Sequence, residues 1–414
     1  MRSIWQVIAA SAVGTMIEWY DFYIFGSLAT VISPLFYPKG NDTLALIFYL
    51  STFAVGFVVR PFGALFFGRI GDLVGRKYTF LVTLMIMGGA TALIGFLPTY
   101  ATIGLAAPII LLAIRVLQGL ALGGEYGGAA VYVAEHVPDR RRGFYTSFIQ
   151  ITATLGLFVS LAVILAVQNA MSKESFSAWG WRIPFLLGIV VGVVGVILRR
   201  SLSEVAPVER SERSSIVETL RSHWQLVMQA AQLSVFSAVM FLVMFVYMAS
   251  WLQTVDGISP AHTLEINTIS MMVLLPALLA SGWLSDRFGR KPVLMLSTVL
   301  AVIVALPLFW VRYHPSAVTV LLGQMGFSVI IGLFSGTQST LMIESTPSRI
   351  RCTAVGLGHN ACFAVIGGLT PLVAAWLVER TADEFAPAYL IMAAAAVSFF
   401  GAWRMKETFR TPLA

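Results

Sequence analysis

The feature that most constrains this chain is a series of apolar runs, each long enough to cross a lipid bilayer as a helix. A hydrocarbon core of about 30 Å requires roughly 20 mostly apolar residues per helix. In the first half of the chain such runs lie near residues 4–36, 43–68, 78–98, 104–135, 144–170 and 181–198. In the second half they lie near residues 224–253, 265–285, 292–311, 316–343, 353–378 and 386–403. The sequence therefore predicts twelve transmembrane helices.

The composition agrees with a lipid environment. Of the 414 residues, 58% are hydrophobic and 11% are charged, whereas globular proteins are about a quarter charged. The net charge of +7 would suit nucleic acid, but the basic residues lie between apolar runs rather than in exposed clusters, so no nucleic-acid partner is expected. Cys352 and Cys362 are about 15 Å apart along one helix, too far for a disulfide. No catalytic constellation, metal-ligand cluster or cofactor motif is present, so we expect neither an enzyme nor a metal or cofactor site.

The distribution of lysine and arginine predicts the orientation. Cytoplasmic loops carry an excess of these residues. The N-terminus, the even-numbered loops and the C-terminus hold 20 of the 27, and the odd-numbered loops hold five. The remaining two, Arg60 and Arg115, fall inside predicted helices. We therefore expect a multi-pass protein of the plasma (bacterial inner) membrane with both termini in the cytoplasm.

The two halves repeat each other. The segment GRIGDLVGRK (68–77) returns 214 residues later as GWLSDRFGRK (282–291), and Glu135 with Arg142 returns 209 residues later as Glu344 with Arg351. The predicted fold is thus an all-α membrane protein with two pseudo-symmetric six-helix halves, which is typical of secondary transporters. The halves are predicted at 1–198 and 223–414, joined by a polar cytoplasmic linker at 199–222.

Several segments resemble the major facilitator superfamily. Its loop between the second and third helices has the pattern that Gly68, Asp72, Gly75, Arg76 and Lys77 match. The segments EWYDFYIFG, RPFGALFFGRIGD, RVLQG, GGEYGG and WGWRIPF are similar to its metabolite:proton symporters, which include permeases for 2-oxoglutarate, citrate, shikimate and proline or betaine. SDRFGRKP and GLTPLVAAWLVE resemble the proline/betaine permeases, whereas the arginine of RVLQG is closer to the carboxylate permeases.

The resemblance implies the major facilitator fold and a symporter that imports a small carboxylate-bearing metabolite with protons by alternating access. The candidates are a di- or tricarboxylate, a shikimate-like acid, or proline or betaine. It also implies a conformational latch at the cytoplasmic surface. The latch residues are Asp72, Arg76, Lys77, Glu135, Arg142, Asp286, Arg290, Glu344 and Arg351.

Five ionisable residues lie inside predicted spans: Glu18, Asp21, Arg60, Arg115 and Glu125. Such a residue costs roughly 2.5 to 3.5 kcal/mol on insertion scales, so each requires a partner or a function. Structural ion pairs between helices are the alternative for any one of them. The three acids outnumber the two arginines, however, and burial favours the neutral form of an unpaired carboxyl group. We therefore expect Glu18, Asp21 and Glu125 to include the proton-coupling group.

Arg115 is the expected anchor for the substrate, because a guanidinium group can hold a carboxylate through two hydrogen bonds. Pro61 should disturb the helix beside Arg60 and permit a bend. The glycines near Arg115 should allow close helix packing. The repeat places Gln324 at the position equivalent to Arg115, so charge should be concentrated in the first half. The further predicted substrate-binding residues are Arg60, Gln118, Tyr23, Gln150, Tyr247, Gln324 and Asn360.

A proton-antiporting exporter of drugs or metabolites shares this architecture and is the alternative function. It predicts a largely apolar cavity with few buried arginines, against which Arg60 and Arg115 count. The expected partners are therefore the carboxylate substrate, protons and the lipid bilayer, with the protein acting as a monomer.

Overall fold

The computed structural model describes residues 4–38, 42–74, 76–200, 221–248, 251–252, 260–312 and 316–413. Within these ranges some side chains, including those of Glu18, Asp72, Arg76 and Glu125, lie outside the described part. The described residues form helices and turns and contain no β-strand, which confirms the predicted all-α class.

The first half of the chain is built from helices that are joined by short turns. They are α1 (Ile4–Ser27), α2 (Ala29–Phe36), α3 (Asp42–Val58), α4 (Arg60–Val74), α5 (Arg76–Phe96), α6 (Tyr100–Ile103), α7 (Ala106–His136), α8 (Arg142–Ala170), α9 (Lys173–Ser175) and α10 (Arg182–Arg200). A π-helical turn, Phe176–Gly180, joins α9 to α10.

The second half continues in the same manner. Its helices are α11 (Trp224–Leu242), α12 (Pro260–Phe288), α13 (Arg290–Arg312), α14 (Ala317–Glu344), α15 (Arg351–Cys362), α16 (Gly368–Thr381) and α17 (Ala386–Arg404). One π-helical turn, Val243–Tyr247, extends α11, and another, Phe363–Gly367, joins α15 to α16.

Among the described residues, nine helical stretches are long and apolar enough to cross a membrane, and α9 with α10 forms a tenth span bent by 56°. Each of the two other predicted spans consists of two consecutive helices. Helices α1 and α2 meet at Leu28, and helices α3 and α4 meet at Val59. Together these account for the twelve predicted spans. Pro61 lies in the first turn of α4, where its missing N–H removes no helical hydrogen bond, so the predicted disturbance appears as a helix boundary.

Contacts divide the chain into two compact units. Unit 1 comprises residues 1–132 and 152–216, and unit 2 comprises residues 133–151 and 217–414. The end of α7 and the start of α8 therefore belong to unit 2. Residues 201–220 of the predicted linker lie outside the described residues, so the predicted domain bounds stay a prediction.

In unit 1, glycines let α7 pack closely on α3 and α4. A Cβ atom at Gly63 would overlap the backbone of Leu120, and one at Gly123 would overlap the carbonyl of Arg60. A Cβ at Gly119 would overlap the backbone of α3. The predicted packing role of these glycines is confirmed, and this packing sets Arg60 close to the helix that carries the predicted anchor.

In unit 2, glycines fix α14 against α12 and α15 against α11. A Cβ at Gly336 would overlap the carbonyl of Leu278, and one at Gly358 would meet the carbonyl of Val227 at 2.5 Å. These contacts hold the helices that carry the polar residues of unit 2 in fixed register.

Candidate functional site

A buried charged cluster lies within unit 1, where α1, α5 and α7 meet. Arg115 Nη1 lies 2.7 Å from Asp21 Oδ2 and donates a hydrogen bond of 2.7 Å to Gln118 Oε1. Gln118 Nε2 and Thr91 Oγ1 each donate to Asp21 Oδ1 at 2.9 Å. Three donors therefore surround the Asp21 carboxylate, and its pairing with Arg115 holds the guanidinium group in one orientation.

Aromatic rings cover both buried arginines of unit 1. The guanidinium carbon of Arg115 lies 4.0 Å from the centre of the Phe25 ring, and that of Arg60 lies 4.0 Å from the centre of the Phe57 ring. A cation over an aromatic face gains electrostatic attraction that partly replaces lost hydration. Both arginines can thus remain charged in an apolar surrounding.

A small cavity connects these residues. Asp21, Arg60, Arg115 and Gln118 are among its lining residues, and the space inside it that is open to water is about 10 Å³. That is roughly the space that one water molecule needs. The cavity is therefore too small to enclose a metabolite.

Of the other residues predicted in the first half, Tyr23 packs its ring against Trp19 and Phe22 at centroid distances of 5.9 and 5.3 Å. Its hydroxyl group is buried and has no hydrogen-bond partner among the described residues. The side chains of Glu18 and Glu125 lie outside the described residues, so their predicted role in proton coupling stays a prediction.

A neutral amide cluster occupies the position in unit 2 that the repeat makes equivalent to Arg115. Gln324 on α14 is buried, and its Nε2 donates to Asn267 Oδ1 on α12 and, at 3.3 Å, to the Met244 carbonyl. Asn267 Nδ2 donates to the Phe245 carbonyl at 3.4 Å. The Met244 and Phe245 carbonyls belong to the π-helical turn Val243–Tyr247. Tyr247, a predicted substrate contact, is the last residue of that turn.

The remaining predicted substrate contacts lie elsewhere in unit 2. Gln150 is half-buried on α8. Asn360 is buried on α15 and donates to the carbonyl of Gly356 on its own helix at 2.8 Å. Their predicted contact with substrate stays a prediction.

At the helix ends of unit 2, Glu344 joins two of the predicted latch arginines. Its Oε1 accepts from Arg142 Nη1 at 2.7 Å and from Arg290 Nη2 at 3.2 Å. Its Oε2 accepts from Arg290 Nε at 3.1 Å. All three side chains are buried, so removal of Glu344 would take a shared counter-charge away from both arginines.

The other latch residues of unit 2 extend this network. Asp286 accepts from the backbone N–H groups of Gly143 and Phe144 at 2.9 and 2.8 Å, where a carboxylate is stabilised by the first turn of α8. Glu135 pairs with Arg351 at 2.7 Å. In unit 1, Lys77 is half-buried, and the side chains of Asp72 and Arg76 lie outside the described residues.

The structure adds residues that sequence reasoning missed. Thr408 Oγ1 in the C-terminal segment donates to Glu344 Oε2 at 2.6 Å, and Glu407 accepts from the backbone N–H groups of Arg290 and Lys291. Thr91, which donates to Asp21, was also missed. Threonine is common in apolar helices, so no sequence pattern distinguished this one. Asn267 could have been found, because an amide inside a membrane span also requires a partner.

Comparison with known proteins assigns the chain to a family. The sequence profile of the Major Facilitator Superfamily matches residues 12–371 and 257–412. The chain is 34% identical to the proline/betaine transporter of Salmonella typhimurium, over 99% of this chain and 84% of the relative. It is also 34% identical, with the same coverage, to the glycine betaine/proline/ectoine/pipecolic acid transporter OusA of Dickeya dadantii.

Solved structures agree on the fold. The proton:xylose symporter XylE matches with a TM-score of 0.81 at 16% identity, covering 99% of this chain and 97% of that structure. The fucose:proton symporter FucP of E. coli matches with a TM-score of 0.69 at 16% identity, covering 97% and 99%. At these identities the likeness concerns the fold alone.

The apolar helices define a multi-pass membrane protein, and the matching family and relatives are transporters rather than enzymes. The chain belongs to the Major Facilitator Superfamily, as the sequence motifs indicated. None of the relatives reported above is named for a di- or tricarboxylate or for shikimate, so those alternatives lose support.

Proposed function

We propose that the protein is a proton-coupled symporter that imports a small zwitterionic carboxylate, proline or a betaine, by alternating access. The names of its relatives support this substrate class. Their family and the similar fold of proton symporters support the coupling ion.

The observation that carries this proposal is the buried ion pair between Asp21 and Arg115. A zwitterion brings one negative and one positive charge, so it can exchange with this pair without adding net charge to an apolar site. The substrate carboxylate replaces Asp21 on Arg115, and Asp21 then balances the charge of the substrate ammonium group. A dianion would add two negative charges, whose desolvation is costly.

The charge of the five predicted buried groups leaves room for one proton. Three acids and two arginines sum to one negative charge, so a single proton neutralises the empty site and a zwitterion keeps it neutral. Asp21 is already held by Arg115 and by two further donors, so we assign the proton to Glu18 or Glu125 in this scheme. Arg60, Gln118 and Tyr23 complete the proposed contacts of unit 1.

We assign Gln150, Tyr247, Gln324 and Asn360 to neutral contacts with the substrate. The carboxylates Asp72, Asp286, Glu135 and Glu344, with their basic partners, act as the conformational latch and bias the transport cycle without binding substrate. The excess of basic residues in the even-numbered loops supports an inner-membrane orientation with both termini in the cytoplasm.

Uptake into proteoliposomes tests the function. With an inward proton gradient, labelled proline or glycine betaine should accumulate, and a protonophore should abolish accumulation. Citrate, 2-oxoglutarate and shikimate should not be taken up. Accumulation of any of these three acids in place of proline and betaine would refute the substrate class, and proton-driven efflux of substrate would favour the exporter.

A further inference from the structure

A row of buried and half-buried polar groups in unit 2 is not explained by packing alone. Thr263, Asn267 and Ser270 lie on one face of α12, because helix positions i, i+4 and i+7 share a face. Gln324 of α14 bonds to the middle member of this row. Thr263 Oγ1, Ser270 Oγ and Gln324 Oε1 are buried and have no hydrogen-bond partner among the described residues.

Such atoms require an explanation. A buried polar atom without a hydrogen bond destabilises a protein, and native interiors contain few of them. Here three lie on two neighbouring helices, α12 and α14. Polar atoms that lack a partner in the protein are suited to a partner that arrives with a ligand.

The hydrogen bonds fix which atom of Gln324 faces that ligand. Its Nε2 donates to two acceptors, Asn267 Oδ1 and the Met244 carbonyl. Exchange of Oε1 and Nε2 would set oxygen against both of these oxygens. Asn267 is oriented in turn by its Nδ2, which donates to the Phe245 carbonyl. Gln324 therefore presents Oε1, and an amide oxygen can only accept a hydrogen bond.

The backbone that holds the amides is itself unusual. The Met244 and Phe245 carbonyls belong to the π-helical turn Val243–Tyr247 of α11. π-Helical turns within α-helices occur frequently at functional sites. The two carbonyl groups that hold Gln324 and Asn267 thus lie in a segment that departs from regular α-helix.

We propose that Gln324 Oε1 accepts a hydrogen bond from an N–H group of the substrate amine. This inference rests on the proposed function, transport of a zwitterionic carboxylate. The ammonium group of proline carries two N–H donors, either of which can bond to this oxygen. A quaternary betaine carries none and leaves Gln324 Oε1 unpaired. The protein therefore prefers secondary-amine carboxylates over quaternary ones, since sites built to hydrogen-bond a ligand reject analogues that lack the group.

Graded methylation of the substrate nitrogen tests this preference. Proteoliposomes take up labelled proline while unlabelled proline, N-methylproline or N,N-dimethylproline competes. With the wild-type protein, the first methyl group should weaken competition by less than threefold. The second, which removes the last N–H, should weaken it by about tenfold or more, the effect of losing a hydrogen bond to a charged group. In the variant Gln324→Met that second step should fall below threefold.

A matched control separates this effect from general damage. Gln232→Met makes the same chemical change on α11, where Gln232 donates to the Val397 carbonyl outside the cluster, and it should keep the wild-type ratios. Equal competition by all three compounds against the wild type would overturn the inference and leave the proposed function standing. So would a second methyl step that stays tenfold in Gln324→Met or disappears in Gln232→Met. Absence of proline and betaine uptake by the folded wild-type protein would remove the proposed function itself. If Gln324→Met fails to fold, the methylation series on the wild type still decides the inference.

Discussion

Arg115 and Gln324 occupy equivalent positions in the two repeats, yet their surroundings differ in kind. Arg115 pairs with a buried carboxylate and lies over an aromatic ring. Gln324 donates to another amide, that of Asn267, and to the backbone carbonyl of Met244, and both of these acceptors are uncharged. The same helix position thus carries a charged residue in an ion pair in one unit and a neutral amide in the other. A repeated scaffold can therefore separate two tasks, charge balance and recognition of neutral or N–H groups.

The helix ends show the opposite behaviour, because there the repeats remain alike. Glu135 pairs with Arg351, and Glu344, its repeat equivalent, pairs with Arg142, the equivalent of Arg351. Both distances are 2.7 Å. The two halves thus keep the same ionic contacts at their helix ends and differ at the positions of Arg115 and Gln324.

The largest expected effect comes from breaking the ion pair between Asp21 and Arg115. Asp21→Asn leaves Arg115 buried without its counter-charge, which should cost about 3 to 5 kcal/mol of stability and abolish uptake. Thermal unfolding of the purified protein and uptake into proteoliposomes measure the two effects. The equivalent neutral change, Gln324→Met, should cost only about 0.5 to 1.5 kcal/mol.

A double variant provides the control for this prediction. Asp21→Asn combined with Arg115→Gln removes both charges, so it should recover most of the lost stability without restoring uptake. Wild-type stability of the single variant would show that the pair contributes little and that Arg115 has another strong partner.

The next largest expected effect is the loss of proton coupling. Glu18→Gln or Glu125→Gln should abolish accumulation against a gradient while leaving exchange of substrate across the membrane partly intact, because exchange needs no net proton movement. Counterflow of labelled proline measures exchange, and uptake under an imposed pH gradient measures accumulation. If both variants, and Asp21→Asn, still accumulate substrate with a normal response to the gradient, proton coupling lies outside the three acids.

The sequence predicted the helical class, the twelve spans and the helix-packing glycines because each depends on local composition. It also predicted that Asp21 and Arg115 would require partners, since the cost of burying charge is independent of the fold. It did not predict that Thr91, 70 residues from Asp21, completes the carboxylate environment. Nor did it predict the π-helical turn that holds Gln324, since that depends on how α11 packs on its neighbours.

A smaller and more selective effect should follow from Arg115→Lys. The charge and the pairing with Asp21 can be retained, but lysine lacks the planar fork that holds a carboxylate through two bonds. The apparent affinity for proline and for glycine betaine should fall about tenfold, which corresponds to roughly 1.4 kcal/mol, and by the same factor for both. Wild-type affinity in this variant would remove Arg115 from the substrate site.

The latch, where the repeats are alike, should respond in rate rather than in affinity. Asp286→Asn weakens the carboxylate contact to the first turn of α8, so the balance between conformations should shift and kcat should change severalfold. KM should stay within about twofold if Asp286 does not touch substrate. Initial rates of proline uptake over a range of concentrations separate the two constants, and a change confined to KM would place Asp286 in the substrate site.

The smallest expected effect concerns Thr408, which lies outside the repeat. Its hydroxyl donates to Glu344 Oε2 at 2.6 Å, beside the two arginines that share this carboxylate. Thr408→Val keeps the shape and removes one donor to a charged group, which should cost about 1.5 kcal/mol of stability and alter the uptake rate in the same direction as Asp286→Asn. Thr381→Val is the matched control, because its exposed hydroxyl donates to the carbonyl of Leu377 and accepts from the N–H of Asp383, neither of which is a charged group. Equal stability of the two variants would show that the C-terminal segment does not support the contacts of Glu344. A larger loss in Thr408→Val would show that it does.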